Sequence, residues 1–366
     1  MEKHPTKVYV PIAYPVCWTV LRPVLKSLAQ DPRFLLSIEV INTGPQEVRQ
    51  EIHKAGLETG TFDHFLKWDG PKVLLTASDF TCHSTAKHIQ EARKRGIRSV
   101  GIQHGLYTNH AAHVPDGHRP IADICLTWNH VTADLIIRRF QIDPENVITV
   151  GNPNFVHMKR GAKPLSNAID DKKPAALLLC DFDQVRHPHG RYRASSSHIH
   201  RAIGSVVRLM SQSLKSRACI LRRHPTDLSE FDRVCLDQLR RSGFEVAISE
   251  TNNASDAIES AQACFVMSSS LYAESILMGK PTIFLVFCKF ELFAGLPLST
   301  EFLKTIWLEK GYLPAGAVEG VSNFLVSERS PVCEAEFVKH TWGGYPDSIE
   351  KIVSILEDIV SHGVAL

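Results

Sequence analysis

Short apolar runs alternate with stretches of helical periodicity along most of the chain. The runs at 7–12, 34–41, 72–77, 99–103, 122–127 and 147–150 read as strands. A second series lies at 175–180, 218–221, 244–248, 263–267 and 281–286. Many of these runs are apolar at consecutive rather than alternate positions, the pattern of central strands covered on both faces in a parallel sheet. Between them, apolar residues recur at helical spacing over 17–30, 46–55, 85–94, 131–140, 196–214, 228–241, 255–261 and 272–278. Such alternation predicts an α/β protein with doubly wound sheets. The stretch 158–174 is polar, carries Pro and Gly and has no apolar period. It predicts a linker between a domain over residues 1–157 and a second over 175–345. The closing segment, 346–366, contains an amphipathic helix over 347–360 that is able to pack back on the first domain.

A length of 366 residues suits two such domains. Hydrophobic residues make up 44% of the chain and charged residues 22%, which excludes a disordered, collagen-like or coiled-coil chain. With 41 Lys+Arg against 39 Asp+Glu the net charge is +2, so no basic excess points to nucleic acid. The longest apolar run, 281–288, falls well short of the ~20 residues needed to cross a bilayer. The polar start of the chain carries no signal-peptide pattern. None of the nine cysteines forms a C-x-x-C pair, and several sit in strand-like runs. That usage predicts reduced, buried thiols and a cytoplasmic protein.

In open α/β sheets ligands bind beyond the carboxyl ends of the strands, and two such domains facing one another make a central cleft. Candidate chemistry therefore belongs to residues directly after strands. Gln103-His104-Gly105 follows one: His104 can accept a proton near neutral pH, or merely bond to loop backbone. His110, His113 and His118 follow without a carboxylate or Cys at a familiar offset, so no metal site is expected. Arg222-Arg223-His224-Pro225 forms a cationic strand end suited to phosphate. Ser268-Ser269-Ser270 ends another strand and opens a helix, an anion site or a set of caps. Glu274, one turn into that helix, can hold a ribose diol or act as a capping carboxylate. Asn152, in a Gly-Asn-Pro turn, and Asp181 and Asp183, after the first strand of the second domain, are further cleft candidates.

These motifs together resemble the GT-B glycosyltransferase superfamily, whose fold is two Rossmann-like doubly wound domains facing a central cleft. Arg223-His224-Pro225 resembles the HP motif, and Ser268-Ser269-Ser270 the SS motif, of bacterial capsule sialyltransferases, Kdo transferases and CDP-glycerol glycerophosphotransferases. Gln103-His104-Gly105 is similar to the His–Gly motif of the glycerophosphotransferases. The paired carboxylates of sialyltransferases are missing, since Trp68-Asp69-Gly70 keeps one acid. Residues 150–153, Glu274 and Gly279-Lys280-Pro281 also resemble the non-hydrolysing UDP-N-acetylglucosamine 2-epimerases.

The resemblance implies a metal-independent inverting glycosyltransferase or glycerophosphotransferase in surface polysaccharide synthesis. Its partners would be a CMP- or CDP-linked donor and a glycan or glycolipid acceptor, without metal or organic cofactor. Peripheral association with the membrane or a synthesis complex would fit that role. His104 would serve as catalytic base and His224 as the catalytic residue stabilising the departing phosphate, while Arg222, Arg223, Pro225, the three serines and Glu274 would hold the nucleotide. Two other readings fit the same motifs: a nucleotide-sugar 2-epimerase or hydrolase, and a non-catalytic glycan- or partner-binding protein.

Overall fold

The computed structural model describes residues 4–41, 46–77, 84–103, 119–154, 172–180, 195–223, 230–249, 254–267, 269, 271–287, 303–327 and 347–362. The chain divides into two compact units, Met1–Val156 with Lys339–Leu366, and His157–Val338.

The first unit is built on six parallel strands: β1 Thr6–Ile12, β2 Phe34–Val40, β3 Lys72–Thr76, β4 Arg98–Ile102, β5 Ile124–Thr127 and β6 Val147–Thr149. Their spatial order is β2-β1-β3-β4-β5-β6. A further parallel bridge joins Thr59 to Ile38 outside β2. Helices α1 Pro15–Gln30, α2 Gln46–Lys54, α3 Phe62–Leu66, α4 Ala86–Lys94 and α5 His130–Phe140 fill the connections. Strands β1, β3, β4 and β5 are buried almost throughout, which explains their unbroken apolar sequences. Tyr9, Phe65, Leu74, Ile89, Ala92 and Ile97 form one core cluster in this unit. The Tyr9 hydroxyl donates to Glu39 Oε2 at 2.8 Å. The same carboxylate oxygen accepts the Phe62 N–H at 2.7 Å, tying the first turn of α3 to β2.

The second unit repeats the plan with β7 Ala175–Leu178, β8 Ala218–Arg222, β9 Glu245–Ser249, β10 Cys264–Met267, β11 Thr282–Val286 and β12 Leu303–Trp307. All pairings are parallel, in the order β12-β11-β10-β7-β8-β9. Its helices are α6 Ser196–Ser213, α7 Glu230–Arg241, α8 Ala254–Ser260, α9 Leu271–Leu277 and α10 Ala317–Val326. Strand parity sorts the side chains onto two faces. Cys219 and Leu221 of β8, Phe265 and Met267 of β10, and Ile283 and Leu285 of β11 pack into one core with α6, α7 and α10. Ile220 and Arg222 of β8, and Cys264 and Val266 of β10, take the opposite parity.

Each unit is a Rossmann-like doubly wound sheet covered by helices. The C-terminal helix α11, Ser348–His362, belongs to the first unit and packs on α1 and β3. An Arg33–Glu357 ion pair at 2.5 Å joins it to the start of β2.

Three elements carry no clear sequence signal. α3 has only five residues, and α10 follows Pro and Gly breakers. β12 is an edge strand whose polar Lys304 and Thr305 interrupt the apolar run. Cys17, Cys125, Cys180, Cys219, Cys235 and Cys264 are buried thiols outside any disulfide. Among the described residues no helix is long and apolar enough to cross a membrane.

Candidate functional site

In the second unit the strand order reverses between β7 and β10, so a crevice at their carboxyl ends is where a doubly wound sheet takes its ligand. Four expected site residues lie at this end among the described residues: Arg222, Arg223, Ser269 and Glu274. Ser268, Ser270, His224, Pro225, Asp181 and Asp183 lie outside the described residues.

Arg222 is the last residue of β8 and is 5% exposed. Its parity turns it away from the core shared by α6 and α7, and its Nη1 donates to the Arg223 carbonyl. Glu274, in the first turn of α9, is 7% exposed. Ser255, at the start of α8, donates its hydroxyl to Glu274 Oε1 at 2.9 Å. Burial pushes the Glu274 carboxyl above the usual carboxylate range, while the Ser255 hydrogen bond and the Arg222 charge pull it back. Burial likewise lowers the Arg222 guanidinium, and Glu274 opposes that shift. Helix start and helix turn thus join a hydroxyl to a carboxylate, and the Arg222 cation at the strand end acts on that carboxylate through its charge. Such a buried carboxylate can accept hydrogen bonds from a ligand diol.

Arg223 is about half exposed, with Nε 4.0 Å from the buried carboxylate of Asp232 on α7. The Ser269 hydroxyl accepts the Leu271 N–H at 3.4 Å and its carbonyl accepts the Tyr272 N–H at 3.4 Å, so this serine caps α9.

Two residues at this end escaped the sequence reading. Ser255 is one; its signal was a small hydroxyl opening a helix directly after an edge strand. The other is His198, in the first turn of α6, beneath the cap that Ser195 Oγ makes to its N–H at 3.2 Å. Its ring lies 6.4 Å from that of Phe287, and Nε2 is buried with no hydrogen-bond partner. Burial and then the Arg201 charge lower its pKa, and the Phe287 carbonyl opposes them.

In the first unit, Gln103 follows β4 with its side-chain carbonyl accepting the Trp128 N–H at 2.7 Å. Its Nε2 donates to Thr132 Oγ1 at 3.5 Å, and the residue is 1% exposed. The amide thus ties β4 to the start of α5. Asn152 is equally buried; its Oδ1 accepts the Asn154 N–H at 2.9 Å, while its Nδ2 has no hydrogen-bond partner. His104 and Gly105 lie outside the described residues. Among the described residues no group of three or more His, Cys, Asp or Glu is placed to hold a metal ion.

No protein-family model matches the chain, and no curated protein does. Solved structures match it over almost its whole length. The Methanocaldococcus jannaschii UDP-GlcNAc 2-epimerase in complex with UDP-GlcNAc and UDP aligns with a TM-score of 0.64 at 13% identity, covering 97% of this chain and 99% of that one. A Staphylococcus aureus MnaA–UDP co-structure gives 0.64 at 15%, covering 96% of each chain. A glycosyltransferase from Rickettsia africae gives 0.61 at 12%, covering 99% and 100%. At these identities the likeness defines the fold class alone, a two-domain Rossmann-like GT-B fold.

The likeness also corrects the transferase reading. The structures this chain is similar to include several UDP-GlcNAc 2-epimerases, and they favour the nucleotide-sugar epimerase reading over a CMP-dependent capsule transferase. The physical reason is that an HP-type strand end and a Ser-rich helix start serve phosphate binding. Transfer and isomerisation of a nucleotide sugar both need that, so these motifs do not distinguish the two reactions.

Proposed function

We propose that this chain is a nucleotide-sugar epimerase or hydrolase acting on a UDP-linked N-acetylhexosamine. The observation that carries the reading is the buried Glu274 carboxylate, held by Ser255 at the carboxyl end of the second sheet. It belongs to a fold matched over 97% of this chain by an epimerase in complex with UDP-GlcNAc and UDP. In this reading Glu274 accepts the hydroxyls of the nucleotide ribose. Arg223, with His224 and the serines at 268–270, would bind the diphosphate, because cationic side chains and helix-start N–H groups offset its charge. Inverting a ring carbon requires a base to remove its hydrogen and an acid to return one to the opposite face. His104, Asp181 and Asp183 are the residues the sequence offers for that proton traffic.

The test is incubation of the full chain with UDP-N-acetylglucosamine, followed by proton NMR of the sugar ring and assay of free UDP. Appearance of the C2 epimer or of UDP is expected, together with thermal stabilisation by UDP but not by CMP. An unchanged nucleotide sugar and no stabilisation by UDP would overturn the reading.

A further inference from the structure

We propose that Arg222 is the positioning residue of the nucleotide site, holding the Glu274 carboxylate in the state that receives the ribose hydroxyls. The inference rests on the reading of Glu274 given above. It begins from strand parity. Cys219 and Leu221 face the core shared by α6 and α7, so Arg222 emerges on the other face of the sheet, beside α8. Helix α8 packs on both β8 and α9 and presents Ser255 to Glu274 at 2.9 Å. Ser255 and Glu274 meet across two adjoining helices, and Arg222 lies on the sheet face that α8 covers, with Arg222 and Glu274 at 5% and 7% exposure; the guanidinium acts on the carboxylate through its charge.

A carboxylate this deeply buried resists ionisation, and a neutral carboxyl is a poorer acceptor for two hydroxyls. One serine hydroxyl supplies one hydrogen bond but no charge. The guanidinium supplies the charge, and it stays protonated throughout the working pH range. Among the described residues, the groups acting on Glu274 are Ser255 from α8, Arg222 from β8 and Cys264 from β10. Arg223 stands beside Arg222, and Lys280 acts on Cys264. Burial pushes the Cys264 thiol up to about 12, so it does not titrate near neutrality. His224 is next in sequence and lies outside the described residues. A purely structural Arg222 would brace the strand end without altering how nucleotide binding depends on pH.

The experiment measures the UDP dissociation constant of the full chain by calorimetry between pH 5.5 and 9, as choices of the assay, for the unmodified protein, R222M, R222Q, R222K and E274Q. In the unmodified protein, affinity should hold at high pH and fall as acidification protonates Glu274. In R222M and R222Q the midpoint of that fall should move up by about one pH unit or more, weakening UDP roughly tenfold at pH values below the unmodified midpoint. R222K should restore the unmodified profile. E274Q should bind weakly, with no dependence on pH from this group. If the midpoint stays in place in whichever of R222M and R222Q folds, the proposal is overturned, whatever happens to the affinity itself. If E274Q binds UDP as tightly as the unmodified protein, the ribose reading fails first and takes the role of Arg222 with it. A loss in E274Q with an unmoved midpoint in R222M or R222Q overturns the Arg222 proposal alone.

Discussion

Ser255 Oγ sits 2.9 Å from Glu274 Oε1, and that hydroxyl joins the first turns of two helices through a carboxylate that is 7% exposed. The pairing has opposite consequences for stability and for binding. Glu274 has its folded-state pKa raised by burial, so its contribution to stability is full below its unfolded pKa and is lost as pH rises through the folded value. Replacing Glu274 with Gln should remove that loss. The difference in unfolding free energy between Glu274→Gln and the unmodified protein should grow in favour of the variant as pH rises, while UDP affinity falls. Urea melts at pH 5 and pH 8, chosen to straddle the transition, check it; a difference that shrinks with rising pH contradicts the assignment.

Removing the hydroxyl alone is a smaller change. Ser255→Ala leaves a buried carboxylate one hydrogen bond short, at a cost of about 1.5–3 kcal/mol for a bond to a charged group. Part of that loss should appear as weaker UDP binding, because the carboxylate then protonates more readily. Calorimetry with UDP beside a urea melt separates the two; unchanged affinity would confine Ser255 to a structural role.

The Tyr9 hydroxyl donates to Glu39 at 2.8 Å from within a fully buried ring that stacks on Phe65 with centroids 5.2 Å apart. Tyr9→Phe keeps the ring and deletes the bond, so a loss of about 1–2 kcal/mol in unfolding free energy is expected. Burial and the Glu39 carboxylate both push the Tyr9 phenol far up. Alkaline spectrophotometric titration should therefore find it un-ionised until the protein unfolds.

Gly311 adopts φ +88°, and a Cβ there would lie 2.8 Å from the His198 carbonyl oxygen and 3.0 Å from the Ala202 nitrogen. Both are backbone atoms of α6, which cannot swing aside. At Gly56, φ is +66° and the added Cβ would meet open space. Gly56→Ala should cost about 1 kcal/mol for the left-handed backbone alone, and Gly311→Ala distinctly more. Denaturant melts of the two variants compare them directly; equal losses would refute the close approach.

Gln103 stands at the strand end where the sequence places it, with its side chain buried. It is the first residue of Gln103-His104-Gly105, and β4 ends beside it. Its amide is turned inward, onto the Trp128 N–H and the Thr132 hydroxyl. Gln103→Leu should cost about 1–3 kcal/mol by leaving the buried N–H of Trp128 without its acceptor. A chemical melt reads that cost directly, and a neutral substitution would show that the bond is dispensable.

The sequence by itself determined the alternation of strands and helices, because a parallel strand covered on both faces must be apolar at consecutive residues. That is visible in β3 (Lys72–Thr76) and β11 (Thr282–Val286) without any neighbours. It also placed Arg222, Arg223 and Glu274 at strand ends and helix starts, since those boundaries are local. It could not choose between transfer and epimerisation, because phosphate-binding ends are common to both. Only the tertiary structure decided that Arg222 and Glu274 share a face of one sheet and that Ser255 completes the group. Gln103 likewise turned inward for a tertiary reason. Each of these depends on pleat parity and on strand order. Residues 255 and 274 meet across two helices, and residue 222 comes to the same face of the sheet, because β8 and β10 both flank β7.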